Sequence, residues 1–205
     1  MLTEKFNWTK FNMVRVYLVA QDKGNCENLI RELPKQEIDP ILKEFRDSLE
    51  GNLSEDNRKI SSLIETLDQY NRNSLGGHLF QFYLDSQFPK IGKEGAFPAR
   101  YIVLHDAHHL LINSGTDEQG ELETIAFEGG LTGSNKADSI LPVFAQVAAF
   151  SQMSGINFPR IARAWEIGAN AEDGLLENWD ISIDLPSNLN DIRKKYNITP
   201  LTLNA

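Results

Sequence analysis

The sequence predicts an all-α fold, a single-domain multi-helix bundle, and three observations carry that expectation. Apolar residues recur at three- and four-residue intervals through most of the chain, as helices with one buried face require. No stretch alternates apolar and polar residues for long enough to make a convincing strand. The periodic stretches are bounded by helix-starting Ser, Thr and Asp and helix-ending Gly and Pro. With 205 residues and 41% of them apolar, the chain has ample material for one packed core, and it carries no repeat or low-complexity tract.

Taken in order, Trp8, Phe11, Val14 and Leu18 form one stripe, blemished by Arg15, and predict an amphipathic helix ending near Gly24. A second helix is expected over residues 38–49, closed by Gly51-Asn52. A third, over residues 54–70, opens on Ser54-Glu55-Asp56, which is good capping chemistry. Residues 71–73 read as a turn, and residues 75–88 as a helix dense in aromatics: Phe80, Phe82, Tyr83 and Phe88. Residues 89–98 hold two glycines and two prolines and read as a loop. Pro98 suits the first turn of the next helix and Gly115 its end. Thr116-Asp117-Glu118-Gln119 resembles a capping box for a further helix that Gly129-Gly130 would terminate. Residues 138–154 read as a buried apolar helix, residues 160–171 as another, and residues 185–196 as a short last one before Asn197 and Pro200. Residues 1–70 are expected to be an N-terminal helical part of the same domain, and residues 70–205 its main core.

The net charge of −9 excludes an ordinary nucleic-acid surface, which needs clustered Lys and Arg. The one basic run, Arg193-Lys194-Lys195, reads as the solvated end of a helix. Cys26 is the only cysteine, so neither an intrachain disulfide nor a cysteine-based zinc site is expected. Met1 to Asn12 lacks the pattern of a signal peptide, and the longest apolar stretch, residues 141–150, is too short to span a bilayer. The expected location is cytoplasmic, or peripheral at the cytoplasmic face of a membrane, of bacterial type.

Chemistry concentrates in one segment, where three of the four histidines fall within five residues: His105-Asp106-Ala107-His108-His109. At ~100° per residue on a helix, His109 lies about 40° from His105 and Asp106 about 100° from it, so the three share an arc. His108 lies at about 300° and falls away from Asp106. Tyr101 precedes His105 by one turn and can line the same face. The arc could be a plain solvent face or a satisfied core cluster. Yet from Tyr101 to Asn113 the only formal charge is Asp106, so the helix looks buried, and buried imidazoles with a carboxylate need partners that a cation would supply. Such a site leaves room for a further protein ligand. On the next helix Leu122, Ile125 and Ala126 define the buried side; Glu121 borders it and Glu123 points away. Glu121 is the expected ligand, with Glu118 and Glu128 as alternatives. Nitrogen and carboxylate donors without sulfur suit zinc, manganese, iron or cobalt, with magnesium possible if the imidazoles stand back.

His105-Asp106-x-x-His109, then eleven residues, then Glu121 resembles the His-Asp-x-x-His-x11-Glu signature of the fourth coenzyme Q biosynthesis protein family, of the Coq series. Arg100-Tyr101, Gly120-Glu121, Phe127-Glu128, Ser74-Leu75-Gly76 and Trp165-Glu166-Ile167-Gly168 resemble flanking parts of that family, as does the spacing of Trp179, Leu189, Arg193 and Ile198. The resemblance runs over residues 70 to 200. It implies an all-α fold with a hydrophobic cavity and a divalent metal held by His105, Asp106, His109 and Glu121. It also implies a prenylated lipid or quinone precursor as ligand, contact with a membrane surface, other quinone-biosynthesis proteins as partners, and a homodimer. The implied chemistry replaces the ring carboxyl of a polyprenyl-hydroxybenzoate with a hydroxyl, an oxidative decarboxylation, with Asp106 and Tyr101 as the catalytic candidates. Phe80, Leu141, Phe144 and Val147 would line the lipid cavity, whose wall differs from the family's where Ala126 replaces an aromatic.

Two other functions fit parts of this pattern. A lipid-binding scaffold of a quinone-synthesis complex would need the apolar helix around Leu141, Phe144 and Val147 but no turnover. A metal phosphohydrolase of the His-Asp type would need an earlier His and a later Asp, for which His78 and Asp138 are the loose candidates. Gly129-Gly130-x-x-Gly133 lacks a following Gly-Lys and is no phosphate loop.

Overall fold

The computed structural model describes residues 43, 46, 47, 50–86, 99–131, 156–175 and 179–202. The helices expected around Trp8 to Gly24 and over 138–154 lie outside these residues, and with them Leu141, Phe144, Val147 and Asp138; of the helix expected over 38–49, only positions 43, 46 and 47 are described, and they are helical. The described residues are helical throughout, in the order α1 (Glu55–Ile64), a 3-10 turn (Leu67–Gln69), α2 (Leu75–Ser86), α3 (Ala99–Ile112), α4 (Glu118–Leu131), α5 (Phe158–Ala169), α6 (Ile181–Asp184) and α7 (Leu189–Lys195). An isolated antiparallel bridge between Ser74 and Asn188 is the one sheet-like pairing among them. The all-α expectation therefore holds.

Local chemistry explains most boundaries. Ser54 caps α1 by accepting from the Asn57 amide, and Glu55 and Asp56 sit against the positive end of the helix. Asn57 is itself buried, and its Oδ1 accepts from the Arg100 amide at 3.2 Å, satisfying a first-turn donor of α3. Asp117, rather than Thr116, caps α4, its Oδ1 accepting from the Gly120 amide at 2.9 Å. Asn157 caps α5 and Asn188 caps α7 in the same way. The helix expected over 185–196 begins only at Leu189, where Asn188 turns its side chain to the helix start, and a separate one-turn helix, α6, precedes it.

Two expected helix ends are corrected. α3 stops at Ile112, because Asn113 adopts the left-handed conformation (φ 59°) and closes the helix before Gly115 is reached. Gly129-Gly130 does not end α4, which runs on to Leu131. The glycine there serves close packing: α4 and α5 form the most extensive helix pairing, and a Cβ on Gly130 would lie 2.3 Å from the Trp165 carbonyl oxygen. Gly168 answers it, since its Cβ would lie 2.0 Å from the Phe127 carbonyl oxygen.

α4 therefore lies between α3 and α5 and is buried on two faces. The core joins Leu75 and Leu79 of α2, Val103, Leu104, Ala107 and Leu111 of α3, and Leu122, Ala126 and Phe127 of α4 to Ile161, Ala164 and Ile167 of α5 and to Trp179, Ile181, Leu185, Leu189 and Ile192. The two-sided burial corrects the orientation expected for Glu123. It does not point outward; it is buried against α5, where its carboxylate takes Arg160 Nε at 2.7 Å and Nη2 at 3.0 Å. A wheel that marks one apolar side cannot show a second side buried through an ion pair.

Arg193 is corrected as well. It does not end in solvent but turns inward, and its guanidinium donates to the Leu111 carbonyl (2.9 Å) and the Leu110 carbonyl (2.8 Å) at the negative end of α3. The Leu201 amide takes the Ile112 carbonyl at 2.8 Å. The last turn of the histidine helix is thus held by residues more than 80 positions away.

Candidate metal centre

α3 carries the histidines and α4 the acids, and the tight turn through residues 113–117 brings the two helices alongside each other. His105 and His109, four apart, stack on one face with ring centroids 4.7 Å apart. Glu121, from the first turn of α4, meets both: its Oε2 lies 3.1 Å from His105 Nε2 and its Oε1 3.5 Å from His109 Nε2. The two Nε2 atoms are 3.1 Å apart. One ligand atom from each of the three residues lies within 4.8 Å of the other two, and the group could hold a metal ion.

The far nitrogens show why these atoms face one another. His109 Nδ1 meets the hydroxyls of Ser114 (3.1 Å) and Thr124 (3.0 Å), which are themselves 2.8 Å apart. His105 Nδ1 meets Glu128 Oε1 at 2.9 Å. A carboxylate can only accept, and His105 has one on each side, so each of its nitrogens meets Glu121 or Glu128 through an N–H unless a cation takes its place. With a cation in the cluster, Nδ1–H would donate to Glu128 and the Nε2 lone pair would face the ion beside Glu121 and His109. The donor set, two imidazoles and one carboxylate backed by hydrogen bonds on the far side, fits a divalent ion of the zinc, iron, cobalt or manganese type.

Ionisation follows the geometry. Burial pushes the Glu121 carboxyl up, but hydrogen bonds and charge from His105 and His109 outweigh it and hold the group down at about 2. Glu128 is likewise raised by burial and lowered further by His105 and His108, to well below the usual carboxylate range. Burial lowers His109, with Glu121 pulling against it. Asp106 is different: burial raises it to about 7, against the lowering effect of His105, with the charges of Glu121 and Glu128 adding to the rise.

Asp106 is buried next to the cluster but does not contribute an atom to it, so the structure brings together three of the four residues expected as ligands. Its carboxyl faces the buried hydroxyl of Tyr83, which works against the rise. Tyr101 is half-buried one turn before His105. Arg100 faces α1 instead, its Nη1 lying 3.9 Å from Asp56 Oδ2. Phe80, a candidate lipid contact, is 37% exposed on α2, and Leu84, one turn on, is 57% exposed. His78 is not one of the three residues of the cluster; it lines a cleft of about 440 Å³ together with Asn113, Arg193, Ser114 and His109.

The sequence reading missed the partners that set the imidazoles: Ser114 and Thr124 behind His109, and Glu128 behind His105. It also set His108 apart, whereas His108 Nδ1 shares Glu128 Oε1 with His105, at 2.9 Å. The signal was present in part. Glu121 and Glu128 are seven apart and share a face of α4, and Thr124 lies one turn from Glu121.

No family model matches the sequence, and no curated protein matches it. A solved structure does: a crystal structure from Nostoc punctiforme PCC 73102, provisionally described as a ubiquinone biosynthesis protein, is similar over 94% of this chain and 98% of that one, with 17% identity and a TM-score of 0.50. At that identity the likeness shows a shared helical fold. Among the described residues, no helix is long and apolar enough to cross a membrane.

Proposed function

We propose that this protein binds a divalent metal ion at His105, His109 and Glu121 and acts in isoprenoid-quinone biosynthesis on a prenylated aromatic precursor. The single observation that carries the metal reading is the convergence of two imidazole nitrogens and one carboxylate within 4.8 Å. The pathway reading is supported by the His-Asp-x-x-His-x11-Glu spacing and by the fold shared with a protein described as belonging to ubiquinone biosynthesis.

In that role the three residues hold the ion with coordination positions left open. Bound there, it supplies Lewis-acid stabilisation of negative charge on a phenolate or carboxylate oxygen. Ser114 and Thr124 hold the His109 ring. Asp106 offers a buried carboxyl beside the cluster, next to the Tyr83 hydroxyl, and serves as the proposed base, with Tyr101 lining the same helix face. The reaction proposed is oxidative decarboxylation of a polyprenyl-hydroxybenzoate, in which the ring carboxyl leaves as carbon dioxide and the hydroxyl oxygen comes from dioxygen, an external two-electron donor and two protons reducing the other oxygen atom to water.

Elemental analysis of the purified protein with a turnover assay on prenylated hydroxybenzoate tests both halves. The wild type is expected to carry a divalent metal, and the His105→Ala, Glu121→Ala double variant to lose it together with turnover. Metal content unchanged in the double variant would refute the site. A second reading, a lipid-binding scaffold, is favoured by Phe80 and Leu84, which expose one apolar edge of α2. Lipid co-purified in native mass spectra, with metal present and turnover absent, would select it.

A further inference from the structure

Glu128 is not among the residues that face the candidate ion, yet one of its oxygens meets two histidines at once. Its Oε1 lies 2.9 Å from His105 Nδ1 and 2.9 Å from His108 Nδ1. His108 is fixed on every side. Its Nε2 lies 2.9 Å from the Leu175 carbonyl and its Nδ1 against the Glu128 carboxylate, both acceptors, so both contacts are hydrogen bonds when the ring carries a proton on each nitrogen. Its ring lies parallel to Trp179, with centroids 5.9 Å apart and planes 10° apart, and meets the Phe127 ring edge-on at 5.4 Å. A continuous path therefore runs from the backbone at Leu175 through His108 and Glu128 to the ring of His105, and its last atom, His105 Nε2, is one of the three in the cluster.

We propose that Glu128 is a positioning residue for the metal centre: it holds the Nδ1–H of His105, so that Nε2 is the nitrogen offered to the ion, and His108, braced on Leu175 and Trp179, holds Glu128. The proposal rests on the metal reading of the centre and adds a role for a residue that contacts only the remote nitrogen of one ligand. An imidazole has two nitrogens and one flexible stem, so its contacts decide which nitrogen an ion meets, and His105 is half-buried. A carboxylate on the far nitrogen makes the choice and increases the donor strength of the near one. Glu121, in contrast, touches the near nitrogens of both rings.

The test is titration of the full chain with cobalt(II) alone, followed by calorimetry and by the visible d–d bands, on the wild type, Glu128→Ala, Glu128→Gln and Glu121→Gln. Glu128→Ala is expected to weaken cobalt binding by about 10- to 100-fold while the bands at saturation keep their positions, because the ligands are unchanged. Glu128→Gln, whose amide oxygen still accepts from Nδ1, is expected to recover most of the affinity. Glu121→Gln is expected to shift the bands. Wild-type affinity in Glu128→Ala overturns the proposal while leaving the metal reading intact. Bands that shift in Glu128→Ala overturn it by making Glu128 a ligand. Absence of cobalt binding by the wild type overturns the metal reading itself. Should Glu128→Ala fail to fold, nitrogen-15 spectra of the histidines in the zinc-loaded wild type decide: zinc on Nε2 of His105 with the proton on Nδ1 supports the proposal, and zinc on Nδ1 overturns it.

Discussion

At the scale of single residues, the centre depends on groups that never touch the ion. Thr124 is fully buried, and its hydroxyl holds both Ser114 and His109 Nδ1. Thr124→Val keeps the volume and removes the hydroxyl, while Ser114 remains 3.1 Å from His109 Nδ1. Metal affinity is expected to fall by about tenfold, the low end of such effects, and to return in Thr124→Ser; calorimetric titration reads both. Asp184 has a purely structural counterpart of this role. Its buried carboxylate accepts from Trp179 Nε1 (2.9 Å), Tyr196 Oη (2.8 Å) and Lys195 Nζ (2.9 Å). Burial pushes its pKa up, but these donors prevail and hold it below the ordinary value. The folded state then binds the Asp184 proton less readily than the unfolded chain does. The stabilisation is complete above about pH 4 and is lost as pH falls through the lowered folded value. Asp184→Asn is expected to be less stable than the wild type by about 1–2 kcal/mol at pH 7, with the gap closing below about pH 4, as denaturant melts at a series of pH values would show. The pairing of His105 with His109 is legible from spacing, because a four-residue step on a helix fixes which rings share a face, whereas spacing leaves Glu121 beside Glu118 and Glu128 as alternatives. Thr124, Ser114 and Asp184 are not legible, since nothing in a hydroxyl or an aspartate tells which distant group it will meet.

At the scale of elements, the sequence located helices better than their neighbours. Capping residues such as Ser54, Asn157 and Asn188 act within one turn, so their effect can be read locally. Glu123 was misread for the opposite reason: its burial is made by a different helix, 37 residues away, through Arg160. Here α4 has polar residues on both buried faces, Glu121 and Thr124 toward α3 and Glu123 toward α5, so apolar periodicity underreports how enclosed it is. This pair also carries a prediction. Arg160→Ala leaves the Glu123 carboxylate buried, with Gln119 as its remaining partner at 2.7 Å. The uncompensated charge is expected to cost about 3–5 kcal/mol in denaturant unfolding. The double change Arg160→Met, Glu123→Leu should restore most of that loss, because the penalty lies in the unpaired charge and not in the missing bridge.

At the scale of the whole molecule, the centre is where distant parts of the chain are tied together. α3 and α4 supply the donors, Leu175 braces His108, and the end of α3 is held by Arg193 and Leu201. An ion bound at the cluster is absent from the unfolded state, where residues 105 and 121 are not held together, so binding must stabilise the entire fold. At a free concentration of 100 times the dissociation constant the gain is about 2.7 kcal/mol. For a domain near this size that corresponds to a rise in Tm of about 5–10 °C. Scanning calorimetry of the metal-stripped protein, with and without added zinc or manganese, measures it. Glu121→Gln, which binds the ion more weakly, should lose much of the increment at the same metal concentration while keeping a cooperative transition, since Glu121 is half-buried and packs no core. Arg193→Ala should behave in the converse way, lowering the metal-free Tm by leaving the Leu110 and Leu111 carbonyls without their donor, yet retaining the metal-dependent rise because all three ligand atoms remain. If the two variants gave the same pattern, the ion and the clasp at the end of α3 would be one energetic unit, and the separation argued here between donors and scaffold would not stand.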